Sequence, residues 1–264
     1  MNRSWDLTDL EFAVLWERIN RSDLPRPFSF ISRTRKLSDY EREKLEVWDR
    51  MRPEVDDCLR DVFVAMHRPE AYVVVLGWCD HDTQNPAKRV RARAVRSATH
   101  GYLLRQLPGE TVWHSGGFTI EECGPHGIAE AVVRILPERQ AGRLGSIPIL
   151  TDQVDDHERF RSVPDSRVTM PNQDSPADRS AKFFALPAEL TGAITVHQGY
   201  SAFGPRGILE QAMLWRDLPD DGRYVIVLDR APTAMGIGTR RLVALIDAAV
   251  ERMRDRADSH WEAG

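Results

Sequence analysis

Apolar residues recur at helical or strand spacing along most of this chain, and the spacing predicts its elements. Thr8 and Glu11 predict the start of a helix, because each side chain can bond the backbone amide of the other. Beyond this capping box, apolar residues at helical spacing predict one inward face: Phe12, Leu15, Trp16 and Ile19. Such a face must pack on a folded domain.

The rest of the first half predicts two further helices and then a series of strands. Ser38 and Glu41 form a second capping box, before a helix that turns Leu45, Trp48 and Met51 inward. Pro53 is expected to open the third helix. Strand patterns and one closing helix complete this half: strands at 28–31, 72–78, 89–95, 102–107 and 112–120, and a helix at 127–136.

The second half repeats this order after a stretch of different composition. Residues 138–175 are rich in Asp, Arg, Gln, Ser and Pro, and we interpret them as a long, partly disordered linker. Further helix and strand patterns follow: a helix at 178–188, strands at 192–200, 207–215, 223–228 and 233–237, and a helix at 239–253. The halves 1–137 and 176–258 are therefore expected to be architectural repeats within one domain, with their strands joined into one sheet.

Composition places the chain among ordinary globular proteins. It has 264 residues, 42% hydrophobic and 29% charged, with a net charge of −4 that offers no general attraction to nucleic acid or acidic membranes. No run of 18 apolar residues predicts a membrane span, and no secretory signal is seen at the start. Three cysteines fit a reducing compartment better than a disulfide framework, so we expect a cytoplasmic protein.

Two clusters of residues offer alternatives to a simple binding protein. A metal-dependent enzyme could use the thiols and imidazoles of Cys79, His81, Cys123 and His126, although their spacing is not that of a usual zinc site. Core cysteines and surface histidines are the plainer interpretation. A nucleic-acid-binding face could use Lys88, Arg89, Arg91, Arg93 and Arg96, but no aromatic residues interleave with them, and such a row also keeps a strand soluble.

No other motif indicates catalysis. The chain lacks a phosphate-binding loop, a Gly-x-Ser-x-Gly elbow and a His-Glu-x-x-His zinc motif. His100, His114 and His197 lie on or beside predicted strands, where a structural histidine is commoner than a general base. We therefore expect no cofactor and favour a binding protein over an enzyme.

Two segments resemble a known family. The first is 7–19, and the second combines 192–196 with 214–224, which includes Trp215-x-Asp217 and Asp221-Gly222-Arg223-Tyr224. These segments resemble the EspG family, the cytosolic chaperones associated with ESX (type VII) secretion in actinobacteria. The resemblance implies an α/β (α+β) fold with a central twisted antiparallel sheet, flanking helical bundles and two pseudo-symmetric halves.

The resemblance also implies a function and a contact surface. The chain would bind the hydrophobic tip of a PPE-like helical substrate in a PE–PPE pair, keep it soluble and select it for its own secretion system. An exposed apolar surface could pair two free copies as a homodimer, and no membrane insertion is expected. The contacts implied in the loop after the second strand, and more weakly in the second half of the sheet, are Trp78, His81, Gln84, Asn85, Ile194, Val196 and Met213. The last three could instead belong to the core.

Overall fold

The computed structural model describes residues 3–150, 175–201 and 207–259. Within these ranges, ten antiparallel strands form one sheet, in the order β1-β5-β4-β3-β2-β7-β8-β9-β10-β6. The strands are β1 (Ser4–Leu7), β2 (Ala71–Trp78), β3 (Val90–Arg96), β4 (Gly101–Pro108), β5 (Ser115–Glu122), β6 (Ile147–Pro148), β7 (Leu190–Gln198), β8 (Glu210–Leu218), β9 (Gly222–Val227) and β10 (Thr233–Gly236).

Six α-helices flank this sheet in the described ranges. They are α1 (Asp9–Asn20), α2 (Leu37–Met51), α3 (Asp57–His67), α4 (Ile128–Arg134), α5 (Pro176–Ala185) and α6 (Thr239–Ser259). A single 3₁₀ turn, Pro86–Lys88, lies between β2 and β3. None of the described helices is both long and apolar enough to cross a membrane.

The order of elements is the same in both halves of the chain. A strand (β1 or β6) and a helical segment (α1–α3 or α5) precede four sequential strands and a closing helix (α4 or α6). The two halves join at the centre, where β2 and β7 pair antiparallel over eight residues, and β1 and β6 lie at the two outer edges. This arrangement confirms the predicted fold class.

Three apolar clusters stabilise the fold. On one face of the sheet, α4 and α6 cover the inner strands of both halves. On the other face, α1–α3 cover the outer strands of the first half, and α5 packs over those of the second. The centre of this second face lies between the two groups of helices.

The beginnings of the first three helices test the capping predictions. The Thr8–Glu11 capping box is present, with Thr8 N donating to Glu11 Oε2 at 2.8 Å. The second box is wrong, because α2 begins at Leu37, which leaves Ser38 inside the helix without a capping bond. Pro53 does not open α3 either: Asp56 caps it instead, since its carboxylate accepts the amide of Leu59 at 2.7 Å.

Inward and outward positions on α2 also differ from the prediction. Met51 is buried as expected and Trp48 is half-buried, whereas Leu45 is 53% exposed and Val47 takes the inner position. The predicted strand at 28–31 is absent from the ladder.

The predicted linker is only partly described. Residues 151–174 lie outside the described ranges, but 138–150 follow the second half of the sheet. Gly142 N donates to Arg223 O at 3.0 Å, and β6 pairs with β10. The described part of this segment therefore supplies the edge strand of the second half.

Candidate functional site

On the two central strands, buried side chains alternate with partly exposed ones. On β2 and β7, the side chains toward α6 are fully buried, whereas those on the other face remain partly exposed. The register aligns the exposed side chains, because Leu76 lies opposite Ala193 and Ala193 lies opposite Leu214. We call this surface the central strip; it consists of Val74, Leu76, Trp78, Thr191, Ala193, Thr195, Ala212 and Leu214.

A stack of three side chains lies at one end of the central strip. The guanidinium of Arg93 is 3.8 Å from the centre of the Tyr72 ring, and the His197 ring stacks on Tyr72 with 4.6 Å between centroids. Burial lowers the pKa of His197 from 6.5, although Glu210, with its carboxylate 3.4 Å from Nδ1, opposes this shift. This end of the strip is therefore polar, and its three side chains are stacked on one another.

The C-terminal end of α5 borders the strip on the β8 side. Arg216 donates to the carbonyl oxygens of Phe183 and Leu186 at 2.7 and 2.5 Å, and to Asp80 Oδ2 at 2.9 Å. These bonds hold α5 over β8 while Phe184 and Leu186 stay 45% and 46% exposed. The exposed apolar side chains of α5 extend the apolar surface beyond the sheet.

Asp80 fastens the loop after β2 to the second half of the chain. Besides Arg216, its carboxylate accepts the amide of Ala188 at 2.9 Å. Burial opposes ionisation of Asp80, but these bonds outweigh it, and the pKa lies below 3.8. The loop is thus anchored to the segment between α5 and β7.

The loop residues nominated as contacts have different roles. Trp78 lies in the central strip, and His81 and Gln84 are exposed on the loop. Asn85 serves the loop itself, since its side chain caps the 3₁₀ turn at Ala87 N and donates to Asp82 at 2.8 Å. Trp78, His81 and Gln84 therefore keep accessible surface, whereas Asn85 is used within the loop.

The three contacts nominated on the second half of the sheet require correction. Ile194 and Val196 are 0% exposed and Met213 is 1% exposed. They pack against α6, because each points to the opposite face from the central strip. Their neighbours Ala193, Thr195 and Ala212 face outward instead, so the predicted residues were one position out of phase.

The proposed metal ligands do not form one site. Cys79 directly follows β2, whereas Cys123 N bonds to Gly101 O at 2.8 Å, and the ladder places Gly101 near Ala71 at the opposite end of β2. At a rise of about 3.3 Å per residue, the two ends of this eight-residue strand lie more than about 20 Å apart. Burial also raises the pKa of the Cys123 thiol to about 12, which opposes its use as a thiolate.

The rest of the described structure offers no alternative metal centre. Within the described ranges, no group of three or more His, Cys, Asp or Glu residues is placed to hold a metal ion. The metal set Cys79, His81, Cys123 and His126 is therefore wrong as a single centre.

The alternation predicted for the arginines is present. Arg91 and Arg93 lie on the face of the central strip, and Ala92 and Ala94 are buried on the opposite face. Arg93 is only 8% exposed, however, so the row is not an ordinary solvated face. Sequence reasoning assigned these arginines to nucleic acid or solubility and did not connect them with the strip.

The hairpin of the family-like segment stabilises the fold. The Trp215 ring lies against Gly77 and Gly192, leaving no room for a β-carbon: one at Gly192 would be 2.2 Å from the ring. Arg223 pairs with Asp217 through two bonds of 2.7 Å, and both side chains are buried. These residues build the sheet under the strip and are not themselves contacts.

The residues missed by sequence analysis share one cause. Val74, Leu76, Ala193, Ala212 and Leu214 sit in strands whose apolar runs read as buried on both faces. Only the pairing of β2 with β7, together with the positions of the helices, shows which face stays open. Phe184 and Leu186 carried the signal of an amphipathic helix end but were not considered.

Comparisons with known proteins identify the family. No curated protein sequence matches the chain. Among solved structures, the Mycobacterium tuberculosis type VII secretion system chaperone EspG5, in complex with a PE25-PPE41 dimer, matches with a TM-score of 0.52 and 13% identity, covering 96% of each chain. This likeness shows a shared fold. The EspG family model matches residues 8–248, and the chain therefore belongs to the EspG family.

Proposed function

We propose that this protein is a type VII secretion chaperone that binds a PE–PPE-like helical client on the central strip and the adjoining end of α5. The apolar strip, which the helices of the described ranges leave uncovered in an EspG-family chain, carries the proposal. The complex of the similarly folded EspG5 with a PE25-PPE41 dimer supports the choice of client class. The proposal includes binding of the client's hydrophobic tip and selection among related clients.

The physical basis is burial of apolar surface. A helical client with an exposed apolar end would self-associate, because clustered apolar surface is unfavourable in water. A chaperone that covers this end shifts the equilibrium toward the soluble form by mass action and needs no covalent chemistry. The polar residues around the strip then discriminate among clients, since mismatched charges are costly at an interface.

Co-purification tests the proposal. The tagged chain would be co-expressed with each PE–PPE pair encoded by the same genome, and the complexes separated by size exclusion. We expect at least one pair to elute with the chain as a soluble complex and to aggregate without it. If no pair associates with the folded chain, the proposed function is wrong.

Two tryptophans provide a matched comparison. Trp78 lies in the central strip, whereas Trp113 is 61% exposed between β4 and β5. Trp78→Ala is expected to weaken the captured complex by roughly tenfold or more, as for a central aromatic contact. Trp113→Ala should leave the affinity nearly unchanged. Equal effects of the two substitutions would contradict placement of the client on the strip.

A further inference from the structure

Three arginines line the β3 side of the central strip. Arg91 and Arg93 lie opposite Leu76 and Val74 in the β2–β3 ladder, and Arg89 directly precedes this strand. Each is held by neutral oxygen atoms: Arg89 by Thr83 O at 2.9 Å, Arg91 by Ser29 Oγ, and Arg93 by Arg26 O at 3.3 Å. The fold therefore holds the three arginines in place, but these oxygen atoms do not neutralise their positive charges.

No carboxylate pairs with these arginines in the part of the chain that the structure describes. The Nε atoms of all three are buried and lack a hydrogen-bond partner, a feature shared with Arg96 and Arg139, which do pair with carboxylates through their other nitrogens. Buried cations are normally paired, because desolvation without a counter-charge is costly. Burial and repulsion from Arg89 both lower the pKa of Arg91, which agrees with a site lacking its anion.

A narrow cleft opens beside the first two arginines. Arg89 and Arg91 line it together with Gln106 and His114. Its free volume is about 10 Å³, close to the space that one water molecule requires. The enclosed part of the cleft has room for one oxygen atom of an anionic group and not for a nucleotide.

We infer that Arg89 and Arg91 receive a side-chain carboxylate of the client, next to the apolar residues that cover Leu76. This inference rests on the proposed function and adds a chemical requirement for the client: an acidic residue beside its apolar docking surface. A side-chain carboxylate can place one oxygen at the narrow cleft, matches the guanidinium charge and can accept two parallel bonds. Nucleic acid fits less well, because the Tyr72 ring is already occupied by Arg93 and His197.

Charge reversal tests the inference with the PE–PPE pair that the wild-type chain captures. The double variant Arg89→Glu, Arg91→Glu should weaken binding roughly thirtyfold or more, because it places like charges together. Arg105→Glu is the matched control, since Arg105 is exposed on β4 and lies opposite Ala92, on the other face of the sheet. This control should change the affinity by less than about threefold.

Exchanging the charges between the chain and the client is the most direct test of the inference. Replacing each acidic residue at the client's docking end by Lys should yield one client variant that restores binding to the double variant. Thermal unfolding would check folding, and Arg89→Glu alone provides a second variant that leaves the Arg91 contact intact. The inference is overturned if the reversed chains bind as tightly as wild type, or if no client substitution restores binding.

The remaining outcomes separate the possible causes. Capture of no PE–PPE pair by the wild-type chain would refute the proposed function itself. Tight, salt-sensitive binding of a random 20-nucleotide DNA to the wild-type chain, abolished in the double variant, would assign the arginines to nucleic acid and overturn the inference.

Discussion

At the scale of single residues, packing explains why the hairpin at 214–224 contains the residues that resemble the family. Trp215 needs two glycines beneath its ring, and Asp217 neutralises the buried Arg223. The guanidinium of Arg223 also donates to Pro137 O at 2.8 Å, which ties the hairpin to the segment after α4. These residues preserve the scaffold on which the strip lies, and their substitution should affect stability first.

Gly192→Ala should reduce the free energy of unfolding by about 1–3 kcal/mol, because the new methyl group would overlap the Trp215 ring. Urea denaturation monitored by tryptophan fluorescence measures the change. Gly238→Ala is the matched control, since a β-carbon there meets no atom within 4 Å. Equal stability of wild type and Gly192→Ala would show that the ring is free to move.

Asp217→Ala should lower the free energy of unfolding by about 3–5 kcal/mol, because it leaves Arg223 buried without its counter-charge. Arg143→Ala removes an exposed partner of Asp221 instead, and should cost less than about 1 kcal/mol. Thermal and urea unfolding of the two variants would compare the effects. A loss for Asp217→Ala as small as that for Arg143→Ala would contradict the proposed role of the pair.

At the scale of elements, sequence pattern located most strands and helices but not their environment. Strand spacing found β2 and β7, yet only the ladder shows that Ile194 is core while Ala193 is exposed. Helix starts failed where two caps competed, as at α3, where Asp56 caps the helix and Pro53 precedes it. The burial of Ile194 depends on tertiary contacts that local pattern does not contain. The Asp56 cap, in contrast, is a local bond to Leu59 N that the sequence also offered.

The failed strand at 28–31 has a similar explanation. The Gln106 side chain accepts Ser29 N and donates to Ser29 O, both at 3.0 Å. A side chain thus supplies the bonds that a neighbouring strand would provide. Apolar spacing alone does not distinguish this arrangement from a true strand.

Asp80→Asn should weaken the link between the β2–β3 loop and α5. The folded-state pKa of Asp80 is lowered below 3.8, so its stabilisation is present above pH 3.8 and is lost as pH falls through the folded value. At pH 7, we expect the free energy of unfolding of wild type to exceed that of the variant by about 1–3 kcal/mol. This difference should shrink below pH 3.8.

Urea denaturation at pH 7, 5 and 3 would follow this difference. Asp49→Asn, on the exposed side of α2, controls for loss of a carboxylate. A difference between wild type and Asp80→Asn that stays constant down to pH 3 would show that ionised Asp80 does not contribute to stability.

At the scale of the whole molecule, the repeated halves create the candidate surface. Pairing of β2 with β7 places the centre of the sheet between α1–α3 and α5, and none of the helices in the described ranges covers it on this face. Composition could predict a binding protein, and the resemblance could predict a client, but the surface follows only from how the halves join. Pairing of two free copies through this surface stays a prediction.

The affinity of Ala193→Lys for the captured PE–PPE pair tests the central claim most directly. Ala193 is in the middle of the strip, so a long charged side chain there should obstruct the client while still reaching solvent. Ala98→Lys, in the exposed turn after β3, makes the same change away from the strip. Isothermal titration calorimetry should show a loss of roughly tenfold or more for Ala193→Lys and little change for Ala98→Lys. Wild-type affinity in a folded Ala193→Lys variant would contradict the account.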